Sequence, residues 1–324
     1  MTIPSESDFL QAEPAASKCI TALAVSEDGR FLFIGNVEGA IDYWDLARNK
    51  LTRVTPELHF AAIVQLAHAN NKLFSLCKNN FLRITKIEGV PEEYNVELIA
   101  MHLMPSEVRA ISIGRDGEWG GILCSGNFLC YVSHYFDYGE GYRMAEVVSA
   151  HHPTVISFNT EKELVAFCAS SSQQNNKTAF LVLKSRNIVH GTYETLQSLS
   201  KTPLSETPSS ISFSNNGEYI VLGFFTGKVG IYFVGSREAR LAQYNCGRSV
   251  NLIAWSPDNR RFATGGHGSN IVVWDVYCLY EPPLIIQNAH VPTAVTGIVW
   301  NHREHLTSSC EDGHIRFWNL PLTV

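Results

Sequence analysis

The segment SSCEDGHIRFWNL, residues 308–320, brings Ser308, Cys310, Asp312 and His314 within seven positions of one another. A nucleophile, a base and an orienting acid are all nominally present, and the chemistry they would perform is hydrolysis or acyl transfer. Triads are recognised by geometry at an exposed cleft, which near neighbours in sequence rarely supply. What holds these side chains therefore decides whether the segment reacts or packs. No His, Cys or carboxylate cluster has metal-ligand spacing, and no C-x-x-C pair occurs. GHGS at 266–269 and GEG at 139–141 are weak glycine matches to a phosphate loop, and neither opens a helix, so both read as hairpin turns. No cofactor is expected.

The chain has 324 residues, 45% of them hydrophobic, which is ample for a core and long for one domain unless the architecture repeats. A formal charge of −6 gives no electrostatic reason to expect nucleic acid or an acidic membrane as a partner. The eight cysteines are scattered, mostly in apolar runs, and read as buried thiols of a reducing compartment. The N-terminal stretch has neither a basic start nor an apolar run of signal-peptide length, and no window is long enough to span a membrane. The expected location is the cytoplasm.

An internal period sets the fold class. SEDGRFLFIGNVEGAIDYWDL, SNNGEYIVLGFFTGKVGIYFV, SPDNRRFATGGHGSNIVVWDV and NHREHLTSSCEDGHIRFWNL superimpose without gaps. Gly29 to Trp44, Gly217 to Tyr232, Asn259 to Trp274 and Arg303 to Trp318 are each fifteen positions apart. Gly39, Gly227, Ser269 and Gly313 each precede the same aromatic by five. Each copy reads as three short strands joined by tight turns, because β-branched and aromatic runs alternate with Asp-Gly, Asn-Gly or Asp-Asn pairs. IVVWDV and GIYFV are apolar on both faces, which suits a small sheet covered on both sides.

Weaker copies bring the count to seven, with first strands beginning near Ile20, Ile63, Val108, Val155, Ser210, Val250 and Val295. The expected fold is all-β, a single domain over 1–324 forming a seven-bladed propeller of four-stranded antiparallel blades. SSSQQNNKT and HGTYETLQSLSKTPLSETPSS are expected as polar surface connections within the fourth unit. The last unit ends after its third strand at Leu320, so DFLQAE, residues 8–13, is expected to supply the missing strand and close the ring.

These residues resemble the WD-repeat family, named for the pair seen here as Trp44-Asp45 and Trp274-Asp275, with Trp318-Asn319 a near match. The SPDN turn followed by FATGG, and the run IIQNAHVPTAVTGIVWNHREHLTSSCEDGHIRFWNLPL, resemble the second, C-terminal propeller of the actin-interacting protein 1 family. CITALAVSEDGRFLFIGNVEGAIDYWDL resembles the blade that opens that propeller. The resemblance is specific over 18–58 and 207–321. Family members carry two seven-bladed propellers and help cofilin disassemble actin filaments. Actin and cofilin are thus the partners implied, at the actin cytoskeleton, for a monomer or one half of a two-propeller protein. A general WD-repeat scaffold in an unrelated multiprotein complex is the alternative.

In a WD blade a His before the first strand, a Ser or Thr on the second, an Asp in the next turn and the third-strand Trp form a buried hydrogen-bonded set. The resemblance puts His290, Ser308, Asp312 and Trp318 on those positions, which makes the opening segment structural. Trp44, Trp274 and Tyr232 take the aromatic position in other copies, where the polar positions degenerate to Ile34 and Glu38, Thr264 and Gly268, or Leu222 and Thr226. Such degeneracy suits packing and not catalysis, so no enzyme activity is expected. His59 and the pair His151-His152 are expected in loops before first strands. Partner-binding residues of a propeller are large, exposed and at strand ends. Phe224 and Phe225 qualify, as do Tyr135, Phe136 and Tyr138 in HYFDYGEGYRM. Glu38, Lys78, Arg248, His267 and Glu311 are expected on the same rim as Phe225.

Overall fold

In the computed structural model the described residues are 19–48, 50–55, 59–90, 93–104, 106–114, 120–125, 128–132, 143–146, 151–159, 161–162, 164–171, 178–184, 195–198, 204, 206–234, 240–245, 248–301 and 305–320. They form seven sheets and no helix. The first sheet comprises β1 (Ile20–Val25), β2 (Phe31–Asn36), β3 (Ile41–Asp45) and β4 (Lys50–Thr55). The second comprises β5 (Ile63–Ala69), β6 (Lys72–Cys77), β7 (Phe81–Val90) and β8 (Glu93–Leu103). The third comprises β9 (Val108–Ile113), β10 (Gly120–Cys124), β11 (Phe128–Val132) and β12 (Arg143–Glu146). The fourth comprises β13 (His151–Asn159), β14 (Leu164–Ser171), β15 (Thr178–Lys184) and β16 (Thr195–Ser198). The fifth comprises β17 (Pro208–Phe213), β18 (Tyr219–Phe224), β19 (Lys228–Phe233) and β20 (Arg240–Asn245). The sixth comprises β21 (Leu252–Trp255), β22 (Arg261–Gly265), β23 (Ile271–Asp275) and β24 (Leu284–Ile286). The seventh has three strands, β25 (Val295–Trp300), β26 (His305–Cys310) and β27 (Ile315–Asn319).

Strands within each sheet pair antiparallel in chain order. Two expectations change. His151 and His152 lie inside β13, opposite Ser171 and Ser170, and not in a preceding loop. The polar stretch 190–210 contains β16, which pairs with β15 as the outer strand of its sheet. The segment 8–13, expected to complete the seventh sheet, lies outside the described residues.

The chain divides into two compact units, one of Met1–Leu103 with Leu252–Val324 and one of Met104–Asn251. In the first, β1 packs against β5 and β25, and β21 packs against β25. In the second, β13 packs against β9 and β17. Sheets stacked in this way cover one another's faces, so β3 and β22 are buried at every position, with no wet side. Cys19, Cys77, Cys124, Cys168, Cys278 and Cys310 are free thiols, and Cys77, Cys124, Cys168 and Cys310 are buried.

A local device recurs in the first, fifth and sixth sheets. At the turn between first and second strands a buried serine hydroxyl accepts a backbone N–H five residues on. The pairs are Ser26 with Phe31 at 2.8 Å, Ser214 with Tyr219 at 2.9 Å and Ser256 with Arg261 at 2.9 Å. The same hydroxyl donates two residues on, to Asp28, Asn216 or Asp258, at 2.5, 2.7 and 2.6 Å. The turn between second and third strands needs a left-handed residue. Gly39 has φ 88°, and a Cβ there would lie 2.2 Å from the His59 carbonyl oxygen.

Candidate functional site

The aspartate of the Trp-Asp pair works as a clamp on the chain. Asp45 Oδ2 accepts from Arg30 Nη2 at 3.2 Å, and Asp275 Oδ2 accepts from Arg260 Nε at 2.8 Å, each across fifteen residues. Their other oxygens accept backbone N–H groups of the following turn, from Ala47 at 3.1 Å and Tyr277 at 2.9 Å. The arginines after Asp-Gly and Asp-Asn were the legible signal for this clamp, and sequence reasoning passed over them.

The third-strand aromatics pack against the sheet that precedes theirs within a unit. Trp44 meets the Phe317 ring edge-on, 5.5 Å between centroids, and shares a core with Ile315, Leu32 and Ile34. Trp318 lies in a core with Ala263, Ile271 and Val273 of the sixth sheet, and Tyr232 in one with Ala166, Cys168 and Val182 of the fourth. Trp274 stacks on Phe262 within its own sheet at 6.0 Å.

The seventh sheet places the opening residues as follows. Ser308 Oγ accepts the Trp318 indole N–H at 2.8 Å and meets His290 Nε2 at 2.8 Å, all three groups being buried. Burial, with the Arg316 charge adding to it, pushes the His290 imidazole down to about 4, so it is neutral near pH 7. A buried neutral imidazole without an exposed nucleophile beside it cannot act as a general base on substrate. Asp312 stands apart from this group. Its Oδ1 accepts from the Cys310 thiol, from the His314 backbone N–H at 3.2 Å, and lies 3.0 Å from His314 Nδ1. Although partial burial opposes it, these bonds from Cys310 and His314 hold the Asp312 carboxyl below its usual range. His290 Nδ1 is left buried with no hydrogen-bond partner. The expectation that no Cys, His and carboxylate group shares metal-ligand spacing is thereby corrected: the Cys310, Asp312 and His314 donor atoms all lie within 4.8 Å of one another. A C-x-D-x-H alternation folds into one cluster only because a tight hairpin turn intervenes.

The second sheet holds a counterpart that the sequence shows only in part. His59, in the segment before β5, meets Ser75 Oγ at 2.7 Å through Nε2. Burial, then the Arg83 charge, lowers its imidazole to about 4. The strand-three position is Thr85 in place of an aromatic, and its buried hydroxyl has no partner. The sixth sheet keeps a different part of the set, Trp274 Nε1 donating to Thr264 Oγ1 at 3.0 Å. In the first sheet Ile34 replaces the acceptor, and the Trp44 indole N–H is buried without one.

Exposed residues at strand ends divide the partner-binding candidates. In the first unit Glu38, Lys78, His267 and Glu311 are all exposed, in the turns β2–β3, β6–β7, β22–β23 and β26–β27. In the second unit Phe225 is 64% exposed in the β18–β19 turn, and Arg248 is exposed in the segment before β21. Phe224 is corrected: it is 6% exposed and belongs to the core with Ile220 and Leu222, because it ends β18 before the turn carries the next residue outward. Tyr135, Phe136 and Tyr138 lie outside the described residues, as does the GEG stretch. GHGS forms the β22–β23 turn. Sequence reasoning missed Phe60, 86% exposed, which sits beside the β2–β3 turn because the His59 N–H bonds the Gly39 carbonyl at 3.2 Å. Val37 and Val291 are exposed apolar residues on the corresponding turn and loop of their sheets. An aromatic directly after a structural histidine was the available signal.

Residues 240–275 and 281–319 match the family described as WD domain, G-beta repeat (WD40). Along most of its length the chain is similar to actin-interacting protein 1 of Caenorhabditis elegans, 27% identical over 94% of this chain and 47% of the relative. It is similar to actin-interacting protein 1 of Drosophila melanogaster at 21% identity, over 99% of this chain and 49% of that one. The 66 kDa stress protein of Physarum polycephalum is 22% identical over 94% of the chain and 47% of its own length. The chain thus spans about half the length of these curated relatives. Among solved structures, the Cps50 (Swd1) β-propeller domain of Myceliophteria thermophila superimposes with TM-score 0.72, covering 97% of this chain and 100% of that domain at 13% identity. That likeness shows the fold, a β-propeller.

Proposed function

We propose that this WD40-repeat β-propeller is a non-catalytic protein-binding module of actin filament turnover, and that it promotes cofilin-dependent filament disassembly at the actin cytoskeleton in the cytoplasm. The observation that carries this reading is the similarity to actin-interacting protein 1, which runs through both units and is not confined to the two WD40 matches. Its chemistry is consistent with docking. Side chains at second-to-third strand turns are exposed to solvent, while Ser308 and His290 are consumed in holding the seventh sheet together. No helix among the described residues is long and apolar enough to cross a membrane.

Phe225, Phe60 and the mixed-charge turn residues Glu38, Lys78, Arg248, His267 and Glu311 are the proposed contact groups. Large exposed aromatics dominate such interfaces, and surrounding charges orient the partner. The test is co-sedimentation of this chain with actin filaments, with and without cofilin. Pelleting of the chain on cofilin-decorated filaments, with more actin left in the supernatant, is the expected result. Absence of both removes the actin reading and leaves the fold untouched.

The second reading is a general scaffold in an unrelated multiprotein complex. It rests on the WD40 matches at 240–275 and 281–319, a repeat that does not by itself specify actin. The same assay separates the two, since a scaffold of that kind leaves actin and cofilin unchanged.

A further inference from the structure

The β26–β27 turn carries more donor chemistry than its sheet uses. Cys310 ends β26, Asp312 lies in the turn and His314 precedes β27. The backbone fixes them, because Gly313 N–H bonds the Cys310 carbonyl and Cys310 N–H bonds the His314 carbonyl, both at 3.2 Å. Residues 310 and 314 are thereby held across from each other, with Gly313 at φ 87° making the reversal. Their side chains converge on one carboxylate oxygen, Asp312 Oδ1, which takes the thiol proton of Cys310 in a hydrogen bond and lies 3.0 Å from His314 Nδ1.

We propose that Cys310, Asp312 and His314 form a zinc-binding site. A thiolate, an imidazole and a carboxylate are the donor set that zinc selects, whereas magnesium and calcium prefer oxygen alone. Metal–ligand bonds of about 2.0 to 2.3 Å in a tetrahedron place donor atoms roughly 3.3 to 3.8 Å apart. The three donors already lie within 4.8 Å of one another, near that separation. Asp312 and His314 are exposed, which leaves the fourth position to water. On binding, the ion replaces the Cys310 thiol proton, which passes to solvent. Asp312 enters as the carboxylate it already is, and His314 as neutral imidazole with its proton on the nitrogen that does not bind.

The buried groups of this sheet make no claim on the turn. His290, 1% exposed, meets Ser308 Oγ through Nε2 at 2.8 Å. The turn carboxylate expected to serve that imidazole is directed instead to Cys310 and His314. His290, Ser308 and Trp318 hold the sheet without any of the three donors. The site does not depend on the actin reading.

The experiment uses the full chain, stripped of metal with a chelator and titrated with zinc chloride by calorimetry. Cobalt(II) serves as a spectroscopic substitute. Binding is expected to saturate at one ion per chain, to give a cobalt–thiolate charge-transfer band and to raise the melting temperature. His314→Ala, an exposed change that leaves metal-free melting as in the unaltered protein, is expected to weaken zinc binding by about tenfold or more, the scale of effect seen when the support of a metal site is removed. Cys310→Ser is expected to abolish the charge-transfer band. No zinc uptake by the unaltered chain, or uptake unchanged in His314→Ala and Cys310→Ser, overturns the proposal.

Discussion

Replacing Ser308 with alanine tests whether the terminal segment holds the sheet or reacts. The hydroxyl is 0% exposed and serves two buried groups, the Trp318 indole N–H at 2.8 Å and His290 Nε2 at 2.8 Å. Alanine removes both of these hydrogen bonds. A buried polar group that loses its bond costs about 1 to 3 kcal/mol, and His290 Nδ1 is already unpaired, so the imidazole cannot turn to recover its bond. The expected loss is about 2 to 5 kcal/mol, and the melting midpoint by calorimetry or circular dichroism falls by roughly 3 to 8 °C for a chain of this size. The control is Ser308→Thr. Thr264 takes the same role toward Trp274 in the sixth sheet at 3.0 Å, so threonine at 308 is expected to keep most of the stability. A Ser308→Ala protein that melts with the unaltered one would falsify the structural account of this segment, and equal losses in alanine and threonine would show that shape, not hydrogen bonding, is at stake.

Acid is expected to destabilise the chain through His59, whose folded value of about 4 lies below the ordinary 6.5. A depressed histidine binds more protons unfolded than folded, so its contribution is complete above about pH 6.5 and is lost as pH falls toward 4. Urea unfolding at pH 7.5 and pH 5.0 is expected to show the His59→Gln variant losing about 1 to 2 kcal/mol less than the unaltered chain; equal losses refute the assignment. Gly39→Ala puts a Cβ 2.2 Å from the His59 carbonyl oxygen at φ 88° and is expected to cost about 3 kcal/mol or more, read as a melting shift well beyond that of an ordinary surface substitution. Phe224→Ala is expected to destabilise the second unit by about 3 to 5 kcal/mol, while Phe225→Ala melts normally and weakens filament pelleting. The reverse pattern would move the candidate surface to the other residue.

The division of strands was legible because it depends on local rules. Fifteen residues separate the turn from the aromatic in four copies, and the structure returns the same interval as the distance from Arg30 to Asp45 and from Arg260 to Asp275. Apolar runs on both faces announced strands buried on both sides, as β3 and β22 are. Turn chemistry at Gly29, Gly39, Gly217, Gly227 and Gly313 was equally readable, since each has positive φ. By contrast β16 lay hidden in a Ser- and Thr-rich stretch, because an outer strand needs no apolar alternation when only one edge is paired.

The candidate site divided along the same line. Residue identity and spacing are enough to put Ser308, Asp312 and Trp318 on one sheet, because hairpin register follows from turn length. They are not enough to say which way a short acidic side chain turns. The resemblance assigns Asp312 to the set with His290, and the folded hairpin directs it instead to His314 and Cys310. Phe224 and Phe225 show the same limit, two identical neighbours of which one packs in the core and one meets solvent. Local pattern sets the order of strands and turns, since those depend on backbone conformation and near neighbours. Side-chain direction at a strand end depends on the sheets stacked around it, residues tens of positions away, and is settled when those surfaces meet.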